Sequence, residues 1–426
     1  HSSPTFKPTR DLNADDVLWS INRMADKNHP AHSSARNGYV YWSGMEMSAL
    51  LKGVAKIDAQ TVRFTLNKPA SPFLSNLAIS NIGAIYPAEY GEQLAKAGKL
   101  DALNSAPVGS GPFVFKSYQK DATIRYTAHK AYWGGAPKVD QLVFAITTDG
   151  DVRVQRVKAG ECLVGLGIKR AAVGSLSKVA HLEVRPFLPL VVSYVAPNHR
   201  TIKDVRLRQA LWYAIDKATL IKAAENGLAT PAASFLPASI WGHDATLPDR
   251  HDPAKARELV KASGYDGREL VFFIANGGDR KLVGEMLQAD WAKAGIKVRV
   301  QAMEIGEMFK RSAAGEHDLV MLSWFGDNGD PDNFLSPNLS CAADQGGGNK
   351  AHWCSKPFDA LLDAAARSNR QAERTEIYKR AQRLLYDDAV VVPLTYAQQV
   401  VVHDKRVRGF VPSPFANSDF RSVSLE

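Results

Sequence analysis

Apolar positions recur along the chain with two spacings, one typical of helices and one typical of strands. Between residues 11 and 24 they recur every three or four positions, and Asn13 can cap the first turn, so we predict a helix there. Residues 113–118 and 122–128 alternate between apolar and polar side chains, which predicts the two strands of a hairpin. The chain therefore mixes helices and strands.

Predicted helices and strands alternate in the second half of the chain. The helices are expected at 252–261, 282–294 and 307–314, and the strands at 270–274, 298–303 and 319–324. This alternation favours βαβ units and a largely parallel sheet. Residues 358–386 are predicted to be long and helical, and 390–402 to return as strands.

The length of 426 residues exceeds what one ordinary core supports and predicts two or three domains. No apolar run reaches the roughly 18 residues that span a bilayer. The longest candidate, 388–402, is broken by Pro393, so we expect a soluble protein. The polar residues 1–10 do not resemble a signal peptide, and we expect that one has been removed or that the sequence begins late.

Charge and motifs narrow the possible functions. The net charge is +9, but no run of five or six basic residues occurs, so a basic surface is favoured over a nucleic-acid partner. No nucleophile elbow, phosphate-binding loop or zinc-protease motif is present, and we predict a protein that is not an enzyme and uses no cofactor or metal. The glycines at 346–348 follow no strand and predict a flexible loop.

The three cysteines leave two questions open. Cys341 and Cys354 flank a polar, glycine-containing loop, and a disulfide between them would contribute about 3 kcal/mol to stability. A zinc site there would lack ligands, because His352 is the only further donor nearby. Cys162 is then a buried free thiol or half of a disulfide whose partner lies outside this sequence.

The segment 323–334 directly follows a predicted strand, at the carboxyl end where α/β folds place ligands. It holds two aromatic residues before its glycines, and three carboxylates. A carboxylate beside aromatic rings is suited to hold a ligand ammonium group. Alternatively, the acids, Asp330 and Asp332 above all, cap turns and the next helix. A calcium site is disfavoured because the spacing does not match the calcium-loop pattern.

Several segments together resemble one family, the bacterial extracellular solute-binding proteins of peptide uptake systems. The resemblance covers essentially the whole chain and is most specific in the Gly-Asp-Asn-Gly-Asp-Pro-Asp-Asn-Phe run. The segments are 6–17, 107–113, 132–134, 205–217, 326–334, 340–343 and 353–354.

The resemblance implies an α/β, two-lobed periplasmic binding protein fold, with hinged lobes, mixed sheets and a small extra subdomain. Residues 1–91 would form the subdomain, incomplete at its N-terminus. Residues 92–169 and 398–426 would form lobe I, and 170–397 lobe II.

The resemblance also implies a function and a site. The protein would be a monomeric, periplasmic component of an ABC transporter that delivers short peptides to an inner-membrane permease. Asp327 would hold the α-ammonium group of a di- or short peptide, with Trp324, Phe325 and Gly326 lining the pocket, and Cys341 and Cys354 would form a disulfide. Haem, antimicrobial peptides and nickel chelates, which relatives bind, are the alternative ligands.

The chain departs from the family pattern in two places. Family members begin several tens of residues before Asn13, and that stretch supplies early strands and a cysteine that pairs with the position of Cys162. The dipeptide binders also carry an Arg-Pro-Tyr segment that holds the ligand carboxylate, whereas the corresponding connection here, 275–281, is short. Arg280 is one candidate to replace that arginine, and a surface position without such a role is the alternative.

Overall fold

The computed structural model describes residues 1–35, 38–277, 279–345, 347–415 and 418–426. The α-helices within these ranges are α1 Ala14–Ala25, α2 Val40–Gly44, α3 Met47–Leu50, α4 Phe73–Leu77, α5 Ser80–Gly83, α6 Ala88–Lys96, α7 Ala102–Ser105, α8 Gly150–Lys158, α9 Val173–Leu176, α10 Val205–Tyr213, α11 Lys217–Ala224, α12 Pro253–Ser263, α13 Arg280–Lys293, α14 Ile305–Ala313, α15 Asp332–Leu339, α16 Lys356–Arg367 and α17 Gln371–Asp387. The strands are β1 Leu51–Lys56, β2 Val62–Leu66, β3 Phe113–Gln119, β4 Thr123–Ala128, β5 Gln141–Ala145, β6 Val164–Gly165, β7 Leu182–Phe187, β8 Val191–Pro197, β9 Ala229–Pro231, β10 Leu270–Ala275, β11 Val298–Met303, β12 Leu319–Phe325, β13 Val392–Ala397, β14 Gln399–Asp404, β15 Val407–Arg408 and β16 Ser424–Leu425. None of the helices in the described ranges is both long and apolar enough to cross a membrane.

The largest sheet has six strands in the order β11-β10-β12-β8-β13-β9. Strand β10 is parallel to β11 and β12, while the β12–β8, β8–β13 and β13–β9 pairs are antiparallel. The expectation of a largely parallel sheet is therefore wrong. The alternating pattern specifies only β10, β11 and β12, whereas β8, β9 and β13 come from distant parts of the chain.

Local sequence signals fix the ends of several helices. Asn13 caps α1 by accepting the Asp15 amide at 2.9 Å, and the Asp16 carboxylate accepts the Asn13 amide at 2.8 Å. Asp252 caps α12, which ends at Gly264 in a left-handed conformation with φ of 69°. These predicted helices are confirmed.

The predicted helical stretch over 358–386 consists of two helices, α16 and α17, with a break at residues 368–370. The peptide groups at the end of α16 have partners elsewhere: the Ser71 amide donates to the Ala366 carbonyl at 2.7 Å, and the Ser71 hydroxyl donates to the Ser368 carbonyl. The last carbonyls of a helix have no donor within the helix and need donors from elsewhere. The hydrogen bonds from Ser71 supply them and so stabilise the break between α16 and α17.

Helices cover both faces of the six-stranded sheet. One core contains Phe272, Trp212 and Trp291, and the other contains Phe273 and Tyr378. Adjacent residues of β10 thus point into different cores, as the two-residue period of a strand requires. In β12, residues 319–322 are buried, whereas Ser323 and Phe325 are exposed, so the end of this strand reaches the edge of the core.

The remaining strands form smaller sheets, namely β3-β4-β5, β6-β14-β7, β1-β2 and β15-β16. The chain passes from β7 of the β6-β14-β7 sheet to β8 of the six-stranded sheet, and returns from β13 to β14. The described structure thus has the two α/β lobes with mixed sheets that were expected. The exact boundaries at 91, 169 and 397 stay a prediction.

Candidate functional site

The loop that follows β12 is held tightly where it begins. The Gly326 amide donates to the Leu190 carbonyl at 2.7 Å. A Cβ atom at Gly326 would lie 2.9 Å from a ring carbon of Phe334 and 3.0 Å from the Leu190 Cβ. A larger residue would push the loop away from β8, so the position of the following carboxylate depends on this glycine.

Asp327 is a half-buried carboxylate that has no basic partner among the described residues. Its Oδ2 accepts a hydrogen bond from Asn333 Nδ2 at 3.2 Å, and its amide donates to Asn333 Oδ1 at 3.0 Å. Burial raises the pKa of Asp327, and the Asn333 hydrogen bond opposes that rise. Among the described residues no Lys, Arg or His forms an ion pair with it. A cation arriving here would meet a carboxylate that is already partly desolvated.

Tyr41 comes from a distant part of the chain to the vicinity of Asp327. Burial raises the pKa of the Tyr41 hydroxyl, and the negative charge of Asp327 raises it further. Tyr41 is 36% exposed, so part of this residue is in contact with solvent. It is therefore a candidate aromatic contact for a cation that binds Asp327.

Asp330 belongs to a buried ion pair. Its Oδ1 accepts from Arg374 Nη2 at 2.7 Å, and the two side chains are 5% and 7% exposed. The same oxygen accepts the Asp332 amide at 3.0 Å, and Arg374 also donates to the Tyr378 hydroxyl at 2.8 Å. Asp330 therefore ties the loop to α17.

Asp332 lies at the start of α15 and accepts a hydrogen bond from the Ser336 hydroxyl at 2.6 Å. Burial is the main cause that raises the pKa of Asp332 to about 6. Capping, one of the two alternatives for the acids, thus accounts for Asp330, whose carboxylate accepts the Asp332 amide, but not for Asp327; Asp332 lies in the first turn of α15 and its carboxylate binds the Ser336 hydroxyl instead of a backbone amide. In the ranges that the structure covers, no group of three or more His, Cys, Asp or Glu residues could hold a metal ion.

The two aromatic residues at the end of β12 point to opposite faces of the sheet. Trp324 packs against the core that contains Phe273, and its indole N–H is buried without a hydrogen-bond partner in the described part of the chain. Phe325 is 39% exposed and lines a cavity of about 290 Å³ on the other face. Arg170, Glu225 and Arg280 line the same cavity.

The short connection after β10 consists of residues 276–279, of which Gly278 lies outside the described residues. Arg280 is the first residue of α13 and is exposed. It occupies the surface and also lines the cavity next to Phe325, so the two alternatives for Arg280 are not exclusive.

Cys341 and Cys354 form a disulfide, as the resemblance implied. The bond closes the loop that follows α15; Gly346 in that loop lies outside the described residues. Cys162 is a partly buried free thiol. Its pairing with a cysteine outside this sequence stays a prediction.

Sequence reasoning missed three residues that shape the site. Asn333 belongs to the same loop, and its amide could have been suspected as a partner of Asp327. Tyr41 and Arg374 lie 286 and 44 residues from their carboxylate partners in this loop. No local pattern identifies contacts of that kind.

Two α/β lobes with mixed sheets, and a loop whose carboxylate has no basic partner among the described residues, are typical of a protein that binds a solute. The chain belongs to the bacterial extracellular solute-binding proteins of family 5. The model of that family, described as "Bacterial extracellular solute-binding proteins, family 5 Middle", matches residues 5–346. The family that the resemblance predicted is thereby confirmed.

Known relatives share the full length of this chain. Di/tripeptide-binding protein 4 of Pseudomonas aeruginosa is 46% identical over 435 residues, which cover 100% of this chain and 81% of the relative. Heme-binding protein A of Haemophilus influenzae is 38% identical over 100% of this chain and 79% of the relative. The structure of the periplasmic binding protein DppA from Helicobacter pylori, in complex with the peptide STSA, is 32% identical with a TM-score of 0.91, and covers 100% of this chain and 84% of that one.

Proposed function

We propose that this protein is the periplasmic substrate-binding component of an ABC transporter, and that it captures dipeptides or other short peptides by their α-ammonium group. The observation that carries the proposal is the half-buried Asp327 carboxylate, which has an amide but no cation as partner among the described residues. The peptide would then pass to an inner-membrane permease, and the protein would act as a monomer.

The chemistry of Asp327 favours an ammonium group as the ligand's contact. A carboxylate that is half desolvated gains more from a cation than one in bulk water, because the surrounding dielectric is lower. An ammonium group can also donate to the carboxylate and lie against the exposed Tyr41 ring. Contacts limited to the ends of a peptide leave its side chains free, which suits a carrier of many peptides.

Calorimetric titration with Ala-Ala tests the proposal. N-acetylation of the peptide or the Asp327→Asn variant removes a charge-assisted hydrogen bond, and each is expected to weaken binding by roughly 10- to 150-fold. Asp140→Asn is the matched control, because that carboxylate is 83% exposed in an ion pair with Lys130. Binding that survives both changes would refute capture by Asp327.

Haem is a second candidate ligand because a full-length relative is named heme-binding protein A. Haem carries carboxylates and no ammonium group, so Asp327 would not contribute to its binding. The aromatic faces of Tyr41 and Phe325 would be the relevant contacts. Haemin can be titrated into wild type and Asp327→Asn and its binding followed by absorbance. Equal affinity of the two proteins for haemin would favour haem as the ligand. Peptide binding that depends on Asp327 would favour the peptide.

A further inference from the structure

Helices α1–α5 and the hairpin β1–β2 share a hydrophobic core of their own. In the described chain this core has no residue in common with the two cores of the six-stranded sheet. Its buried members include Ile21, Trp42, Met47, Phe73 and Ile82. These elements, called the α1–α5 unit below, are thus packed separately from the sheet that carries Asp327, and their contacts with its loop cross a boundary between cores.

The α1–α5 unit reaches the Asp327 loop through Asn76. Asn328, the residue after Asp327, donates from Nδ2 to Asn76 Oδ1 at 3.0 Å, and both asparagines are 4% exposed. The Oδ1 atom of Asn328 accepts the Asp330 amide at 2.9 Å. One end of the Asn328 side chain is therefore held by the loop itself and the other end by the α1–α5 unit. Separation of the two asparagines would leave a buried donor unpaired, which is costly.

A second contact across the boundary lies beside the Asp327 carboxylate. Asn333 Nδ2 is 3.2 Å from Asp327 Oδ2 and 3.5 Å from the sulfur of Met45, which belongs to the α1–α5 unit. Asn333 is 1% exposed, so it is confined between these two partners. Tyr41, whose pKa the charge of Asp327 helps to raise, also belongs to the α1–α5 unit. The surroundings of Asp327 thus come from both sides of the boundary.

The same unit is also attached to α16. The Ser71 amide donates to the Ala366 carbonyl at 2.7 Å, and Lys68 Nζ lies 2.9 Å from Asp363 Oδ1. Ser71 directly precedes the turn into α4, and Asn76 lies within this short helix. Because one helix carries both contacts, a displacement of α4 from α16 would also separate Asn76 from Asn328.

We infer that Asn76 is a positioning residue for the ammonium site: it holds Asp327 in place through Asn328, and the site is complete only while the α1–α5 unit is docked on the loop and on α16. The inference rests on the proposed function, since it concerns the carboxylate that would capture the ammonium group. A ligand that requires the docked arrangement must in turn favour docking, because coupling between two equilibria is reciprocal. Binding at Asp327 therefore strengthens the contact between Ser71 and α16.

The first test is calorimetric titration of Ala-Ala and N-acetyl-Ala-Ala into wild type, Asn76→Leu and Asn67→Leu. Leucine keeps the branched shape of asparagine and removes its oxygen. Asn67 is the matched control, because it is exposed, belongs to the same unit, and donates to the Ala49 carbonyl within that unit at 2.9 Å. The readout is the ratio of the two affinities, because a general loss of folded protein weakens the binding of both peptides alike.

Wild type and Asn67→Leu are expected to bind Ala-Ala roughly 10- to 150-fold more tightly than the acetylated peptide. In Asn76→Leu the Asn328 amide loses its acceptor, and this ratio is expected to fall by about fivefold or more. An unchanged ratio in Asn76→Leu overturns the inference.

The second test uses wild type alone and does not depend on the folding of a variant. Saturating Ala-Ala is expected to slow hydrogen exchange at the Ser71 amide by about fivefold or more. The Ile57 amide, which donates to the Thr61 carbonyl at 2.9 Å within the hairpin β1–β2, is the control and is expected to change less. No slowing at Ser71, or equal slowing at both amides, overturns the inference, which requires both tests to succeed.

The proposed function fails separately. If Asp327→Asn abolishes the preference for Ala-Ala over its acetylated form while Asn76→Leu leaves it intact, capture of the ammonium group stands and the role of Asn76 falls. If wild type binds the two peptides equally, or binds neither, both fall.

Discussion

The Arg374→Met variant is expected to lose far more stability than a similar change elsewhere on the same helix. Arg374 and Asp330 are 7% and 5% exposed, and methionine would leave the Asp330 carboxylate buried without its cation. Breaking a buried pair in this way costs about 3–5 kcal/mol. For a lobe of this size, that free energy corresponds to a fall in Tm of roughly 6–20 °C.

Arg383→Met is the matched control on α17. Arg383 is 46% exposed and lies 3.6 Å from Asp244, whose buried carboxylate also accepts hydrogen bonds from the Thr246 amide and hydroxyl, so the loss of Arg383 is expected to cost at most about 1 kcal/mol. Methionine keeps the apolar stem of either arginine, so the comparison isolates the charged group. Thermal unfolding followed by circular dichroism measures both variants under one condition.

A double variant separates the ion pair from other effects of the substitution. Asp330→Asn in the Arg374→Met background removes the unpaired charge, while the asparagine oxygen can still accept the Asp332 amide. The double variant is therefore expected to be more stable than Arg374→Met alone. Equal Tm values for Arg374→Met and Arg383→Met, or no recovery in the double variant, would refute the structural role of this pair.

Four further outcomes can be measured. Burial raises the pKa of Asp327, which means that its ionised form destabilises the free protein and that protonation relieves this. Asp327→Asn is therefore expected to keep or raise the Tm at neutral pH, and to weaken peptide binding. For the same reason, calorimetry of wild type should show affinity for an ammonium ligand falling as the pH drops through the raised pKa of Asp327, and a flat profile would contradict this. Gly326→Ala should weaken binding, because its Cβ would approach Phe334 to 2.9 Å; circular dichroism should still show a folded protein. Reduction of the Cys341–Cys354 disulfide should cost about 3 kcal/mol in thermal unfolding, and should leave a variant with serine at both positions unchanged.

The elements that the sequence predicts best are those defined by neighbouring residues. Strand β11 occupies the predicted residues 298–303, and α12 and α13 agree with their predicted bounds within about two residues, because spacing, caps and a terminal glycine act over a few positions. The order of strands does not follow from such signals. The insertion of β8 between β12 and β13 depends on packing between segments more than a hundred residues apart.

In the candidate site, too, the features set by neighbouring residues could be predicted and those set by distant contacts could not. The loop after β12, and Asp327 within it, could be singled out from the sequence, because a predicted strand leads into a run of glycines and acids. The sequence does not reveal which of the three acids is free to bind a ligand, since that depends on Arg374 of α17 reaching Asp330. The break between α16 and α17 likewise depends on Ser71, which lies almost 300 residues earlier.

The three carboxylates of this loop differ in function because their partners differ. Asp330 forms an ion pair with the Arg374 guanidinium. Asp332 accepts a hydrogen bond from the Ser336 hydroxyl and is buried enough for its pKa to reach about 6. Both carboxylates therefore have their partners within the chain. Asp327 has one amide hydrogen bond and a raised pKa, which means that its charge is poorly solvated in the free protein. A ligand cation would remove that unfavourable solvation only when bound, so the same feature that weakens the free protein strengthens the complex. Stability and affinity should therefore change in opposite directions when Asp327 is neutralised, whereas loss of the Arg374 partner of Asp330 should lower stability first and affect affinity only through the position of the loop.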